Sequence, residues 1–186
     1  MAVGILAAIA SLFLAFLAIF GKEFFRKLKF EYEISKIDQQ TSTEGDLLQI
    51  LRVKIQNVGR RAASNVLVTV TEIFDKKNNR YHKREDFIHM PLQWTHYSEK
   101  KARNIAVREE AYVDFGQNDL FDPGLKLYTN PLTSAEQLFL IKNDAKITLR
   151  INEEYGFTEE IKLALKFDTA GGAGLELVSR RKTNSG

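Results

Sequence analysis

Nineteen consecutive uncharged residues, Ala2 to Phe20 (AVGILAAIASLFLAFLAIF), constrain this chain more than anything that follows them. A helix rising ~1.5 Å per residue needs about 20 such residues to cross a ~30 Å hydrocarbon core. Val, Ile, Leu and Phe fill eleven of the nineteen positions. At roughly −0.3 to −0.6 kcal/mol each they supply about −3 to −7 kcal/mol of insertion free energy. The run predicts a transmembrane helix over residues 2–21. A cleaved signal peptide fits it less well, because no basic region precedes it and it ends in Phe20-Gly21-Lys22 rather than at a small-x-small site.

The segment after the run, residues 22–29, carries Lys22, Arg26, Lys27 and Lys29 against a single Glu23. Cations flanking one end of a span stay on the cytoplasmic side, so the rest of the chain is expected there, as a single-pass protein of the cell (inner) membrane. The absence of cysteine and of any Asn-x-Ser/Thr acceptor agrees with that side. The same four cations are candidates for contact with lipid headgroups. Within the span, Gly4, Ala8, Ser11, Ala15 and Ala18 recur at alternating four- and three-residue steps. A seam of small residues lets two helices approach closely, so it is a candidate for self-association into a homo-oligomer.

Beyond the flank the apolar period changes from helical to two. FEYEISKI alternates Phe30, Tyr32 and Ile34 against Glu31, Glu33 and Ser35. LRVKIQ repeats the pattern at Leu51, Val53 and Ile55, and NVLVTV at Val66, Val68 and Val70. Asn57-Val58-Gly59 lies between these two runs. Asn bonds readily to its own backbone and Gly tolerates positive φ, so the expected structure is a hairpin turning at Asn57 and Gly59. Further strands are expected at Ala111 to Phe115, Gln137 to Ile141, Lys146 to Ile151 and Glu160 to Phe167, the last two closing across NEEYG. About seven short strands with no helix-period pattern predict an all-β, antiparallel sandwich or barrel over residues 30–168. The remainder, 169–186, reads as a flexible basic tail in which LELVSRRK could add a short strand.

The stretch LRVKIQNVGRRAASNVLVTV resembles the signature of prokaryotic immunoglobulin-like domains of the CARDB type. The matching positions are Val53, Asn57, Gly59, Ala63, Val66 and Val68, and the similarity runs from about Leu51 to Gly116. PLQWTHYSEKKARNIAVREEAYVDFG, with Trp94, Tyr112, Val113 and Phe115, looks like the continuation found in small membrane-anchored bacterial proteins. The resemblance implies an immunoglobulin-like β-sandwich and, for that class, adhesion or protein binding rather than catalysis. A long insertion between Asp75 and Arg103 departs from compact members of the class.

That insertion holds eight Lys/Arg against three acids, interleaved with Tyr81, Phe87, Trp94 and Tyr97. Arg80, Tyr81, Lys83, Arg84, Lys100, Lys101 and Arg103 are therefore the candidate residues for binding a partner or an anion. The three histidines, His82, His89 and His96, also lie there. Their spacing suits one helix face, but Pro91 interrupts any helix, so no metal site is expected. Trp94 is expected in the core with its indole N–H bonded locally. A net charge of +3 is too small to argue for nucleic acid.

Asp114-Phe115-Gly116 spells a kinase motif without the Gly-rich loop, strand lysine or catalytic loop that kinase chemistry requires. It is read instead as an alternating strand that Gly116 ends. The Gly-rich AGGAG, Ala170 to Gly174, lacks the Lys-Ser/Thr of a phosphate loop and is expected to be a hinge. The acid pairs Glu109-Glu110, Glu153-Glu154 and Glu159-Glu160 are read as turn and surface residues. No catalytic set and no cofactor is expected. The leading expectation is a non-enzymatic, membrane-anchored domain that binds or scaffolds another protein. The alternatives are a ligand-gated effector, whose sandwich takes a nucleotide or other anion and whose anchors cluster, and an envelope-facing adhesion domain.

Overall fold

A computed structural model describes residues 27–40, 47–96, 102–119, 124–129 and 140–182. The apolar run, its small-residue seam, Lys22, Arg26, Lys100 and Lys101 lie outside these residues. No helix among the described residues is long and apolar enough to cross a membrane.

The described chain is all β. In chain order the strands are β1 (Phe30–Gln40), β2 (Leu47–Asn57), β3 (Ala63–Lys77), β4 (Arg80–Lys83), β5 (Met90–Pro91), β6 (Gln93–Trp94) and β7 (Arg103–Ile105). They continue with β8 (Glu110–Asp119), β9 (Leu125–Leu127), β10 (Leu140–Ile141), β11 (Ala145–Asn152), β12 (Thr158–Phe167) and β13 (Ala173–Lys182). One sheet runs β1-β2-β8-β9-β10, with β6 also on β8. The second runs β13-β12-β11-β3-β4, with β5 and β7 sharing the β4 edge of β3. All pairs are antiparallel.

The two sheets lie face to face in a sandwich-like arrangement, because each strand alternates and can bury one face only against the other sheet. Val53, Ile55, Val113 and Phe115 from the first sheet and Val66, Val68, Val70, Leu149 and Leu163 from the second join one buried cluster. Trp94, the largest fully buried side chain, belongs to it as expected. Its indole N–H, however, finds no hydrogen-bond partner among the described residues, where a local bond was expected.

Bulges change the phase of the alternation in three strands. Opposite β11, Thr71 is the extra residue of β3, and its hydroxyl donates to the Thr148 carbonyl at 3.2 Å. Val66, Val68 and Val70 therefore face inward before it, and Ile73 and Asp75 after it. Opposite β2, Phe115 is the extra residue of β8. Gly116 thus lies within a ten-residue strand rather than ending one. A Cβ on Gly116 would meet the Lys126 carbonyl oxygen at 2.8 Å, so the close approach of β9 requires glycine. Val178 is extra in β13, and a further shift lies between Ala63 and Val66 of β3 opposite β7.

The closing hairpin across NEEYG forms as expected, with Ile147 opposite Leu163 and Leu149 opposite Ile161. The segment expected as a tail is, through Lys182, strand β13 paired along β12. AGGAG is no open hinge. The Asp168 carboxylate accepts from the amides of Ala170 (2.9 Å) and Gly172 (2.8 Å), and Gly171 takes a positive φ to close the turn.

The expected hairpin at Asn57 is the main correction. β2 and β3 are not partners but belong to different sheets, so residues 58–62 form an arch across the sandwich. After Asn57 the chain continues along the start of the first strand instead of folding back: the amides of Val58 and Arg60 donate to the carbonyls of Lys29 (2.9 Å) and Lys27 (3.1 Å). Gly59 does not have a positive φ. It is required because a Cβ there would lie 2.7 Å from both the Lys27 oxygen and the Lys29 nitrogen.

Candidate partner-binding surface

β3 runs the whole length of the sandwich and so defines two ends. The base contains residues 27–29, 57–62, 106–109 and 153–157. The far end contains the β3–β4 turn, residues 142–144 and residues 168–172.

Buried polar side chains brace the base. Asn57 is fully buried, and its amide donates to the carbonyls of Arg61 (2.8 Å) and Ile105 (3.1 Å) while its Oδ1 accepts from the Gly59 amide at 3.0 Å. Its backbone bonds Glu109 O at 3.1 Å and Arg108 N at 2.7 Å. Every polar group of this residue is therefore satisfied while it joins two loops. Beside it the Arg61 guanidinium forks onto Glu153, Nη1 to Oε1 at 2.6 Å and Nη2 to Oε2 at 2.9 Å. Burial pushes the Glu153 carboxyl up. The Arg61 hydrogen bonds and the amides of Ser64 and Tyr155 outweigh it and hold the group below the usual carboxylate range.

Glu159, also buried, accepts a 2.7 Å bond from the Tyr32 hydroxyl on the opposite sheet. Burial, and then the charge of Glu159, raise the Tyr32 pKa well above its ordinary value. Both acids were expected on the surface. They are inside because Glu153 continues the inward phase of Ile147, Leu149 and Ile151, and Glu159 that of Ile161, Leu163 and Leu165.

The residues predicted to form one binding loop are divided by the fold. Lys83 pairs with Phe74 and Arg103 with Val66, eight residues apart on β3. That separation is roughly 25 Å along the strand. Arg84 is structural: it forks onto Asp75 at 2.9 to 3.0 Å and donates to the Leu140 carbonyl of the other sheet at 3.2 Å. Lys83 pairs with Glu72 at 3.1 Å and Arg103 with Glu109 at 2.7 Å.

Arg80 and Tyr81 remain on β4, whose four residues are all exposed. The Lys146 ammonium lies over the Tyr81 ring, 4.2 Å from its centre, as a cation–π pair. β4 ends the strand order of its sheet, so its outer backbone edge faces away from β3.

The outer face of the first sheet has a concavity of about 620 Å³ lined by Arg52, Thr95, His96, Arg103 and Tyr112 among others. Its guanidiniums are already engaged. Arg52 holds Asp114 at 2.6 Å, Thr95 adds a 2.8 Å bond to the same oxygen, and Arg103 holds Glu109. An incoming anion would have to displace carboxylates, so the geometry does not favour one. Asp114 of the kinase-like triplet is thus a structural acid. His82, His89 and His96 are exposed, and no group of three or more potential metal ligands gathers among the described residues. Of the expected headgroup contacts, Lys27 and Lys29 are described and exposed, with Lys29 3.1 Å from Glu31.

No family model matches the chain, and a search of curated proteins finds no match. Among solved structures, one titled "X-ray structure of Northeast Structural Genomics Consortium target SoR45" aligns at 12% identity over 83% of this chain and 84% of that one. Its TM-score is 0.26, too loose an overlap to carry an argument about fold family or function.

Proposed function

We propose that the chain is a membrane-anchored, immunoglobulin-like binding domain that holds a protein partner on the cytoplasmic side of the inner membrane, without catalysing a reaction. The polarity of the sandwich carries this reading. Lys27 and Lys29 are bonded into the base through their backbones, so the apolar run joins the folded domain with no more than the six residues Gly21 to Arg26 between them. The β3–β4 turn lies at the other end of a fifteen-residue strand, about 45 Å away.

The domain then acts as a rigid spacer that presents the exposed edge of β4, with Arg80 and Tyr81, away from the bilayer. An extended segment of a partner could add to that edge through main-chain hydrogen bonds, with the Tyr81–Lys146 platform supplying an apolar and cationic contact. The CARDB-type assignment rests on the roles of the matching residues: Asn57 and Gly59 build the arch, and Ala63, Val66 and Val68 start the strand it leads into.

The test is a photo-crosslinking amino acid placed at Tyr81 and, separately, at the exposed Lys162 on the outer face of β12. The proposal expects a discrete adduct from position 81 and none from 162. Equal adducts from both positions, or none from either, would count against it.

A further inference from the structure

The base of the sandwich combines features that the binding reading does not use. Val58, Gly59, Arg60, Val107 and Arg108 surround a shallow recess between the arch and the 106–109 turn. Val107 is 42% exposed and Tyr155, in the neighbouring turn, 72%. Tyr155 sits beside the arch, with the Arg61 guanidinium 5.8 Å from its ring centre. Around these apolar tips Lys27, Arg60 and Arg108 are exposed, and none has an acidic partner among the described residues. Lys182, at the end of β13, reaches the same end over the Phe157 ring. Of the nearby acids, Glu109 and Glu153 are ion-paired with Arg103 and Arg61, which leaves the one exposed carboxylate of Glu154, bonded to the Asn65 amide, against these cations. The surface presented outward is therefore cationic with apolar tips.

The chain that enters this end also fixes its surroundings. Between Phe20, the last residue of the apolar run, and Lys27 lie six residues, which fully extended span at most ~25 Å. If the run is in a bilayer, the base is held within that distance of the lipid surface.

We infer that the base is a docking face for an anionic bilayer: Val107 and Tyr155 enter the headgroup layer while Lys27, Arg60 and Arg108 meet lipid phosphates. This rests on the anchored reading of the apolar run. Amphipathic Tyr is suited to the headgroup level, and cations gain from the negative potential of the cytoplasmic leaflet. Docking through the base holds the sandwich upright and directs β4 into the cytoplasm.

The test uses the full chain, which has no native cysteine, in vesicles of pure phosphatidylcholine or of two parts phosphatidylcholine to one part phosphatidylglycerol. Single nitroxides are placed through Leu14→Cys in the run, Val107→Cys at the base and Lys77→Cys at the far end. Exposure to a water-confined relaxant is then read by electron paramagnetic resonance. The inference expects Leu14 shielded in both vesicles, Val107 shielded in the anionic ones, and Lys77 open throughout. Arg60→Ala and Arg108→Ala should each lower the docked-to-free ratio about fivefold, the effect of ~1 kcal/mol per cation.

A shielded Leu14 with Val107 as open as Lys77 would overturn the docking face and leave the anchor standing. An open Leu14 would overturn the anchor, and the docking face with it.

Discussion

The two ends of the sandwich solve the same problem, closing loops between paired sheets, by different means. At the base, buried side chains from distant parts of the sequence hold the loops: Asn57 joins the arch to the 105–109 turn, and Arg61 meets Glu153 across 92 positions. At the far end two turns are closed locally. Asp168 caps its own turn, while Asn78 and Asn79 both take positive φ to reverse β3 into β4. Asp144, which accepts from the Phe167 amide, is only half-buried. The difference teaches that the chain's entry is held by buried long-range polar contacts, whereas the β3–β4 turn is closed by local backbone geometry; the 168–172 turn combines both, since buried Asn118 donates to its Gly171 carbonyl at 2.9 Å. That division suits a fixed base and an adaptable tip.

Several substitutions would sharpen or break this contrast, measured as denaturant midpoints of the full chain in mild detergent. The largest effect is expected from Glu153→Ala, which strips a partly buried guanidinium of its partner and should cost about 3 kcal/mol. Asn57→Leu keeps the volume but orphans two carbonyls and an amide, for about 2–3 kcal/mol. At the far end Asp168→Ala removes one exposed and one partly buried hydrogen bond and should cost about 1 kcal/mol. Tyr81→Ala is expected to stay within about 0.5 kcal/mol of the parent, since its ring is an exposed platform. A far-end variant as damaging as Glu153→Ala would remove the contrast.

Acid titration gives a finer comparison. The folded-state pKa of Glu153 is depressed, so its contribution is present above the ordinary carboxylate pKa and is lost as the pH falls through the folded value. Asp144 is depressed as well, first by its bond from the Phe167 amide. Stability measured from neutral pH downward should fall for the parent chain. Glu153→Gln and Asp144→Asn should each flatten that slope. A steeper slope in Glu153→Gln would contradict the assigned direction.

Most of the strands were legible in the sequence because period two survives wherever one sheet face is buried. The alternation at Leu51 to Ile55, Val66 to Val70 and Ile147 to Ile151 marks the inward faces directly. The buried acids were legible too, in hindsight of the pattern alone: Glu153 and Glu159 fall on the inward phase, as do Gln49 and Asn57 next to Leu51, Val53 and Ile55. Adjacent acids such as Glu153-Glu154 and Glu159-Glu160 look like turn and surface pairs, and that appearance masks the signal.

Bulges hid more. Asn118 lies in the outward phase of Ala111, Val113 and Phe115, yet the extra residue at Phe115 turns it inward, where its amide meets the Gly171 carbonyl at 2.9 Å. Sheet membership was also hidden. A turn signal such as Asn57-Val58-Gly59 reports that the chain bends, but not whether the next strand pairs with the last one or crosses to the facing sheet. The separation of Arg80 and Tyr81 from Arg103 follows from where β4 and β7 pair along the long β3, and no local pattern encodes it.

In the proposed anchored reading, the side of the membrane on which the hairpin end lies decides the function. Lys77→Cys places a unique thiol at the exposed end of β3, and a membrane-impermeant maleimide can be applied to intact and to lysed cells. The account predicts labelling only after lysis. Labelling in intact cells would contradict the cytoplasmic placement and make the sandwich an envelope-facing adhesion domain instead.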